Sequence, residues 1–267
     1  ILGEDGSGKT RLMTYLVESM VSPPRRSLTS QKVRGTISVS GLDVSKWDKR
    51  ELKQSVGVSL NDVRSVSDLA QLATGLSIEE ILDPRTGSRT FDPSDRLGPT
   101  ERAAMTLALK MTGLDSTLLR RLPSKMSTIV TASEEDMKPS TIRPRFEILG
   151  PAEWKKLLLA KVLCQAIFYN DHTAGSRDAI ANSLVGSILL LDDVTVHLSE
   201  AEEARMIRNL GESGAATVIT SNRWATGRLV DKIAVIKDGA VVEMGSHAEL
   251  LKRGPQQSIY AAKWLAI

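Results

Sequence analysis

The sequence predicts an α/β fold in which a core sheet is covered by helices, and three stretches carry that prediction. "ILLLDDVT", Ile188 to Thr195, opens with aliphatic residues that do not alternate with polar ones, so both faces of the strand must be covered, as in a parallel sheet sandwiched by helices. "GEDGSGKT", Gly3 to Thr10, is a glycine-rich turn followed at once by "RLMTYLVESM", whose apolar residues recur at helical spacing. "KIAVIKDGAVVEMG", Lys232 to Gly245, places two strand-like runs around Asp238-Gly239, the favoured two-residue hairpin turn.

Composition frames these elements. The chain has 267 residues, 41% hydrophobic and 25% charged, which suits one large globular domain or two small ones. Its 35 basic and 32 acidic residues leave a formal charge of +3 with no dense Lys/Arg tract, so nucleic acid is not an expected partner. The single cysteine, Cys164, excludes an internal disulfide and a Cys-rich zinc site, points to a reducing compartment, and reads as a small core residue. His172 and His247 are isolated and read as exposed or satisfied side chains rather than metal ligands. No run of about 18 apolar residues is present to cross a membrane. The chain opens on "ILG", without Met or signal peptide and already at a strand end, and so reads as a fragment of a longer protein.

In chain order, the first element is the glycine-rich turn. It matches G-x-x-x-x-G-K-[ST] at every fixed position. Glycines at 3, 6 and 8 let the backbone curl so that successive amides face a phosphate, and the following helix adds its dipole. Lys9 would neutralise β and γ phosphates and the Thr10 hydroxyl would ligate Mg2+, which makes Gly3, Gly6, Ser7, Gly8, Lys9, Thr10 and Arg11 candidate ATP contacts. Next, Gly35 to Val63 gives a short alternating strand, a glycine turn, a helical "KRELKQ" and a second strand. Helices are predicted over 101–114 and 153–168, and polar loops rich in Pro, Gly and Ser over 83–101, 131–145 and 170–186. Asp192 ends the aliphatic strand where an acid would hold Mg2+ opposite Thr10. Asp193 either polarises an attacking water or caps the helix that follows. A buried strand, a helix and the hairpin then fill Gly214 to Gly254.

Together the Gly35–Val63 and Gly214–Gly254 stretches resemble the nucleotide-binding domain of an ABC transporter, most specifically in "VDKIAVIKDGAVVEMGSHAELL". The likeness spans nearly the whole chain. "LPSKMST", Leu122 to Thr128, is similar to the segment that precedes the signature in exporter-type domains. The resemblance implies a P-loop core at 1–63 and 170–255, with a helical arm carrying the signature helix at 64–169. It also implies a small antiparallel sheet near the N-terminus, whose first strands and adenine-stacking aromatic would precede Ile1. Partners follow from it: transmembrane domains of the same or an associated chain, and a second such domain packed head to tail, with the domain on the cytoplasmic face of a membrane.

The chain departs from the family pattern at four places. The signature L-S-G-G-Q becomes "LGPAE", so Leu149, Gly150, Pro151, Ala152 and Glu153 stand in for it, and Gly150 and Glu153 would face the partner's nucleotide. The Gln after the second strand becomes Asn61, which would reach Mg2+ through water. The catalytic Glu becomes Asp193. The switch His becomes Asn222, whose amide would hydrogen-bond a phosphate but relay no proton. With Asp193 and Asn222 as the catalytic pair, and Thr10, Asn61 and Asp192 around Mg2+, the expected function is ATP binding and hydrolysis that drives export. Two readings stand beside it: a hydrolysis-deficient half of an asymmetric transporter, and a soluble, non-transport ABC protein. A P-loop kinase is disfavoured by the C-terminal hairpin.

Overall fold

The computed structural model describes residues 1–21, 35–59, 76–86, 96–131, 146–170 and 180–267. At its centre lie three parallel strands, β3 (Val56–Ser59), β6 (Ile188–Asp192) and β7 (Ala216–Thr220), in the order β3-β6-β7. The middle strand is the aliphatic run, and it pairs on both sides, Leu190 with Val58 and with Val218. That is why it carries no polar face: Leu189, Leu190 and Leu191 are all buried. The first two residues extend the same sheet. Leu2 bridges Ser221 on one side and Val235 on the other, in parallel with both. Its amide donates to Ala234 O at 2.8 Å and its carbonyl accepts from Ile236 N at 2.8 Å.

Beyond Leu2 lies the hairpin of β8 (Ile233–Lys237) and β9 (Ala240–Gly245). Its turn residues Asp238 and Gly239 have φ of 51° and 78°, the left-handed pair that a tight hairpin of this hand requires and that the Asp-Gly dipeptide tolerates. A smaller antiparallel pair, β1 (Ser38–Val39) and β2 (Leu42–Asp43), and a parallel pair, β4 (Ile129–Thr131) and β5 (Phe146–Ile148), complete the described strands.

The helices follow their sequence signals closely. Helix α1 (Lys9–Val21) starts inside the glycine-rich motif and packs Met13 and Met20 on Leu190. Helix α2 (Lys49–Ser55) is capped by Asp48, which accepts from the amides of Arg50 and Glu51. After α3 (Ile78–Leu82), helix α4 (Pro99–Thr112) begins two residues before the predicted span because Pro99 needs no amide partner there. It ends at Gly113, φ 73°, whose N–H returns to Leu109 O and Lys110 O. Helix α5 (Leu118–Arg121) is a single turn. Helix α6 (Pro151–Tyr169) is apolar around its girth, with Trp154, Leu157, Leu159, Leu163 and Cys164 buried, since α4 covers one side and the sheet the other. Helix α7 (Glu200–Glu212) opens with a Ser199–Glu202 capping box. Two short helices, α8 (His247–Lys252) and α9 (Ile259–Trp264), close the chain.

The largest hydrophobic cluster runs without a break from Ile78 and Leu82 through Met105 and Leu109 to Leu189 and Leu191, so the helices between 78 and 169 and the central sheet share one core. No described helix is long and apolar enough to cross a membrane. Parts of the three predicted polar loops, and Asn61, lie outside the described residues.

Candidate functional site

The strands of the central sheet run parallel, so their C-terminal ends share one edge, and the candidate residues gather there. The chain leaves Leu2 directly into the glycine-rich turn. Gly6 and Gly8 sit at φ 80° and 106°, which side-chain-bearing residues rarely adopt, and these two angles curl the turn into α1. Gly3 is fixed by contact instead of torsion: a Cβ there would lie 2.6 Å from both Ile236 O and Ser7 Oγ. The hairpin braces the turn from behind, with the Gly239 amide donating to Ser7 O at 3.0 Å.

Lys9 is only 5% exposed, and its ammonium donates to Gly3 O at 2.8 Å and Glu4 O at 2.9 Å. The cation therefore spans the loop that would receive a phosphate. An anionic oxygen makes a stronger partner for it than two neutral carbonyls do. Thr10 and Arg11 are exposed on the first turn of α1, and no acidic residue shares that turn.

At the end of β6, Asp192 is 2% exposed and accepts a hydrogen bond from the hydroxyl of Thr220, its register partner on β7. The Thr220 oxygen in turn accepts from the Asp193 amide at 3.0 Å, so one hydroxyl fixes both acids. Asp193 does not cap the next helix, since α7 is capped by Ser199. Instead Asp193 has φ 49°, in the left-handed region, and its Oδ1 is buried with no hydrogen-bond partner among the described residues. Burial first, then the Asp192 carboxylate beside it, pushes its carboxyl above the usual carboxylate range, while Lys9 and Lys155 act in the opposite direction. Among the described residues this buried oxygen has no donor, and such an oxygen calls for an explanation.

Asn222 lies just past the end of β7, and its amide donates to Asp5 Oδ1 of the glycine-rich turn at 3.2 Å. The next residue, Arg223, ties down the segment after Asp193 by donating to Leu198 O at 2.7 Å and Val196 O at 3.0 Å. Its guanidinium also pairs with buried Glu203 at 3.3 Å. Thr220, Arg223 and Asp5 carry no motif signal. Thr220 and Arg223 meet their partners only through the β6–β7 register and the turn that follows it.

The structure thus brings together Gly3, Gly6, Ser7, Gly8, Lys9, Thr10, Arg11, Asp192, Asp193 and Asn222 at one edge. Gly150 and Glu153 belong to the N-terminal end of α6, where Glu153 accepts from the Gly150 amide at 3.0 Å and from Arg121 at 2.8 Å. Asn61 falls outside the described residues.

A parallel sheet whose first strand runs into a glycine-rich turn and helix, with an acid ending the neighbouring strand, defines a P-loop nucleotide-binding fold. Comparison with known proteins narrows this. No family model matches the chain. The chain is 22% identical over 264 residues to the lactococcin-A transport/processing ATP-binding protein LcnC of Lactococcus lactis subsp. lactis, covering 97% of this chain and 28% of that protein. It is 23% identical over 266 residues to the ABC transporter ATM1 of Toxoplasma gondii, covering 99% of this chain and 18% of that one. A shorter stretch of 81 residues, 29% of this chain and 6% of the relative, is 42% identical to ABC transporter B family member 17 of Arabidopsis thaliana. Among solved structures, a bacterial Atm1-family ABC exporter with ATP bound superposes with a TM-score of 0.62 at 20% identity, over 99% of this chain and 36% of that chain. The homologues of this chain are ABC transporter ATP-binding proteins, matched along nearly its full length, and its fold is that of an ABC exporter domain. The chain spans less than a third of the length of these curated relatives.

Proposed function

We propose that this chain is the ATP-binding domain of an ABC exporter, in which ATP bound at the sheet edge with Mg2+ drives closure against a second such domain and, through it, movement of transmembrane domains on the same or an associated chain. Its place would be the cytoplasmic face of a membrane. The observation that supports this most is the meeting of Lys9 with the Asp192–Thr220–Asp193 group at one edge of a parallel sheet. We read residues 1–63 and 170–255 as the nucleotide-holding core and 64–169 as the arm that bears the signature helix.

In this reading the loop amides from Gly6 to Arg11 and the Lys9 ammonium hold the phosphates. Thr10 and Asp192 supply the hard oxygen donors that Mg2+ takes, with Asn61 as a further ligand through water. Asp193 orients the attacking water, and Asn222, already beside Asp5, hydrogen-bonds the terminal phosphate. The Lys9 ammonium has three N–H donors, two of which go to the carbonyls of Gly3 and Glu4, and the third would donate to a phosphate oxygen.

Hydrolysis at this site is slow. An Asp where the family has Glu retracts the carboxylate, and a displacement of about 1 Å can cost on the order of a hundredfold in rate. Asn222 adds no charge to compensate. Phosphoryl transfer depends almost wholly on positioning and electrostatics, so intact phosphate contacts with a weakened water-orienting pair make a nucleotide clamp.

Titration calorimetry of the chain with Mg2+-ATP tests this directly. The parent should bind, and Lys9→Ala should lose roughly tenfold to a hundredfold in affinity, the value of a charge-assisted contact. Equal affinity in both would remove the P-loop reading.

A further inference from the structure

Resting on the reading of the sheet edge as an ATP site, we infer that Asp5 sets which nucleotide the site prefers: its carboxylate takes the place of the terminal phosphate, so that the chain holds a nucleoside diphosphate at least as tightly as the triphosphate. The evidence begins with Asn222. Its side-chain amide, the donor assigned above to the terminal phosphate, already donates to Asp5 Oδ1 at 3.2 Å. The glycine-rich turn thus brings an anion of its own to that donor. The turn holds two acids, Glu4 and Asp5, and they are used differently. Glu4 reaches the C-terminal helix α9, where Lys263 donates to its carboxylate at 2.6 Å, so a cation balances it. Asp5 has no such ion pair among the described residues.

The charges around Asp5 act in the same sense. The Asp193 carboxyl is raised by burial first and then by Asp192, and the Asp5 charge pushes the same way, while Lys9 and Lys155 oppose. The field of Asp5 therefore reaches the acid that is read here as orienting the water. A terminal phosphate arriving at this point must take the Asn222 amide from Asp5 and accept carboxylates as neighbours, and like charges set against each other repel. A diphosphate keeps the loop amides and Lys9 and brings no group against Asp5. Asp5 is exposed, so its side chain is able to turn away, and a triphosphate enters by giving up the Asp5–Asn222 contact. Asp5 thus discriminates against the third phosphate without closing the site to it.

Titration calorimetry with Mg2+-ADP and with Mg2+-ATP tests the inference. The parent should bind ADP as tightly as ATP or more tightly. Asp5→Asn, which keeps the shape and an oxygen for the Asn222 amide while removing the charge, should bind ATP about tenfold more tightly than the parent and leave ADP within about twofold. Asp5→Ser should shift the preference in the same direction, and melting temperatures without nucleotide establish that both variants are folded. A parent affinity for ATP about tenfold or more above that for ADP would overturn the inference. So would an Asp5→Asn variant that gains nothing for ATP or gains equally for both nucleotides. An equal ATP gain in Glu4→Gln, which removes the same charge one residue earlier, would trace the effect to net charge and overturn it too. Binding of neither nucleotide by the parent would remove the P-loop reading and this inference with it, whereas tight ADP binding with ATP preferred removes the Asp5 assignment alone.

Discussion

Two helices of this chain begin where a phosphate is expected, and they begin differently. Helix α1 starts at Lys9 after two glycines with positive φ and has no acid in its first turn. Helix α6 starts with a proline, and Glu153 of its own first turn folds back on the Gly150 amide with Arg121 alongside. Both ends carry the same dipole, so the difference is entirely in the residues placed around it. In the proposed reading one end receives an external anion, whereas the other already has an internal one. The glycines before α1 adopt conformations that side-chain-bearing residues rarely take, a feature that clusters at ligand-binding sites. The α6 end is the cheaper and more stable solution. A helix start that contributes to folding is therefore distinguishable from one that contributes to binding by asking which of its donors the chain itself has satisfied.

Four measurements would break or sharpen that contrast. The largest effect is expected at the open end. Mg2+ should raise ATP affinity in the parent, and Asp192→Asn should remove most of that gain, a loss of about tenfold or more by calorimetry. If Mg2+ has no effect on the parent, Asp192 is only a structural acid held by Thr220.

Next, Asp193→Glu combined with Asn222→His should raise ATP turnover by about tenfold, but only when the chain is mixed with an ABC domain of intact signature that pairs with it. Phosphate release by the double variant alone should stay low, since its own α6 end is closed. Brisk hydrolysis by the unaltered chain alone would show that Asp193 suffices and that the clamp reading is wrong.

A smaller effect is expected from Gly8→Ala. A Cβ there meets Gly239 Cα at an ordinary 3.5 Å, so the cost comes from the φ of 106° and not from a clash. It should amount to about 1–2 kcal/mol in denaturant unfolding, with weakened ATP binding. Full retention of both would mean that the turn needs no glycine conformation at that point.

The smallest effect concerns the anchoring of the closed end. Lys156, buried in the first turns of α6, pairs with Glu202 of α7 at 2.5 Å. The hydrogen bond from Lys156, then that from the Ser199 amide, pulls the Glu202 carboxyl from 4.5 down to about 2. A lowered carboxylate stabilises the fold above its unfolded value, and the contribution disappears as pH falls from about 4.5 through about 2. Glu202→Gln should flatten the stability profile across that window in acid unfolding followed by circular dichroism. At neutral pH it should cost about 1 kcal/mol or less, because the pair is partly exposed. An unchanged acid limb would leave Lys156–Glu202 without a stabilising role.

Much of this contrast can be read before folding. The chemistry of "GEDGSGKT" is local: the glycines, the lysine and the helix that follows are neighbours in sequence, and spacing alone sets the turn. The aliphatic run to Asp192 and the Asp238-Gly239 hairpin are likewise decided by short-range rules of burial and φ. Glu153 was visible as a departure from a pattern, but its use as a cap and ion-pair partner was not, because Arg121 lies 32 residues earlier. The role of Asp193 was left open between water and helix cap. The structure turns it away from the cap, because α7 is capped six residues later by Ser199 and Thr220 already holds the Asp193 amide.

What the sequence determined by itself is the glycine-rich turn with its helix, the aliphatic strand, the two long helices and the C-terminal hairpin, since each depends on residues within a turn or two of one another. Only the tertiary structure decided which acids share Thr220, which guanidinium fastens the segment after Asp193, and that the α6 end is closed. Those outcomes depend on strand register and helix packing, which join residues tens of positions apart, and no local propensity encodes such pairings.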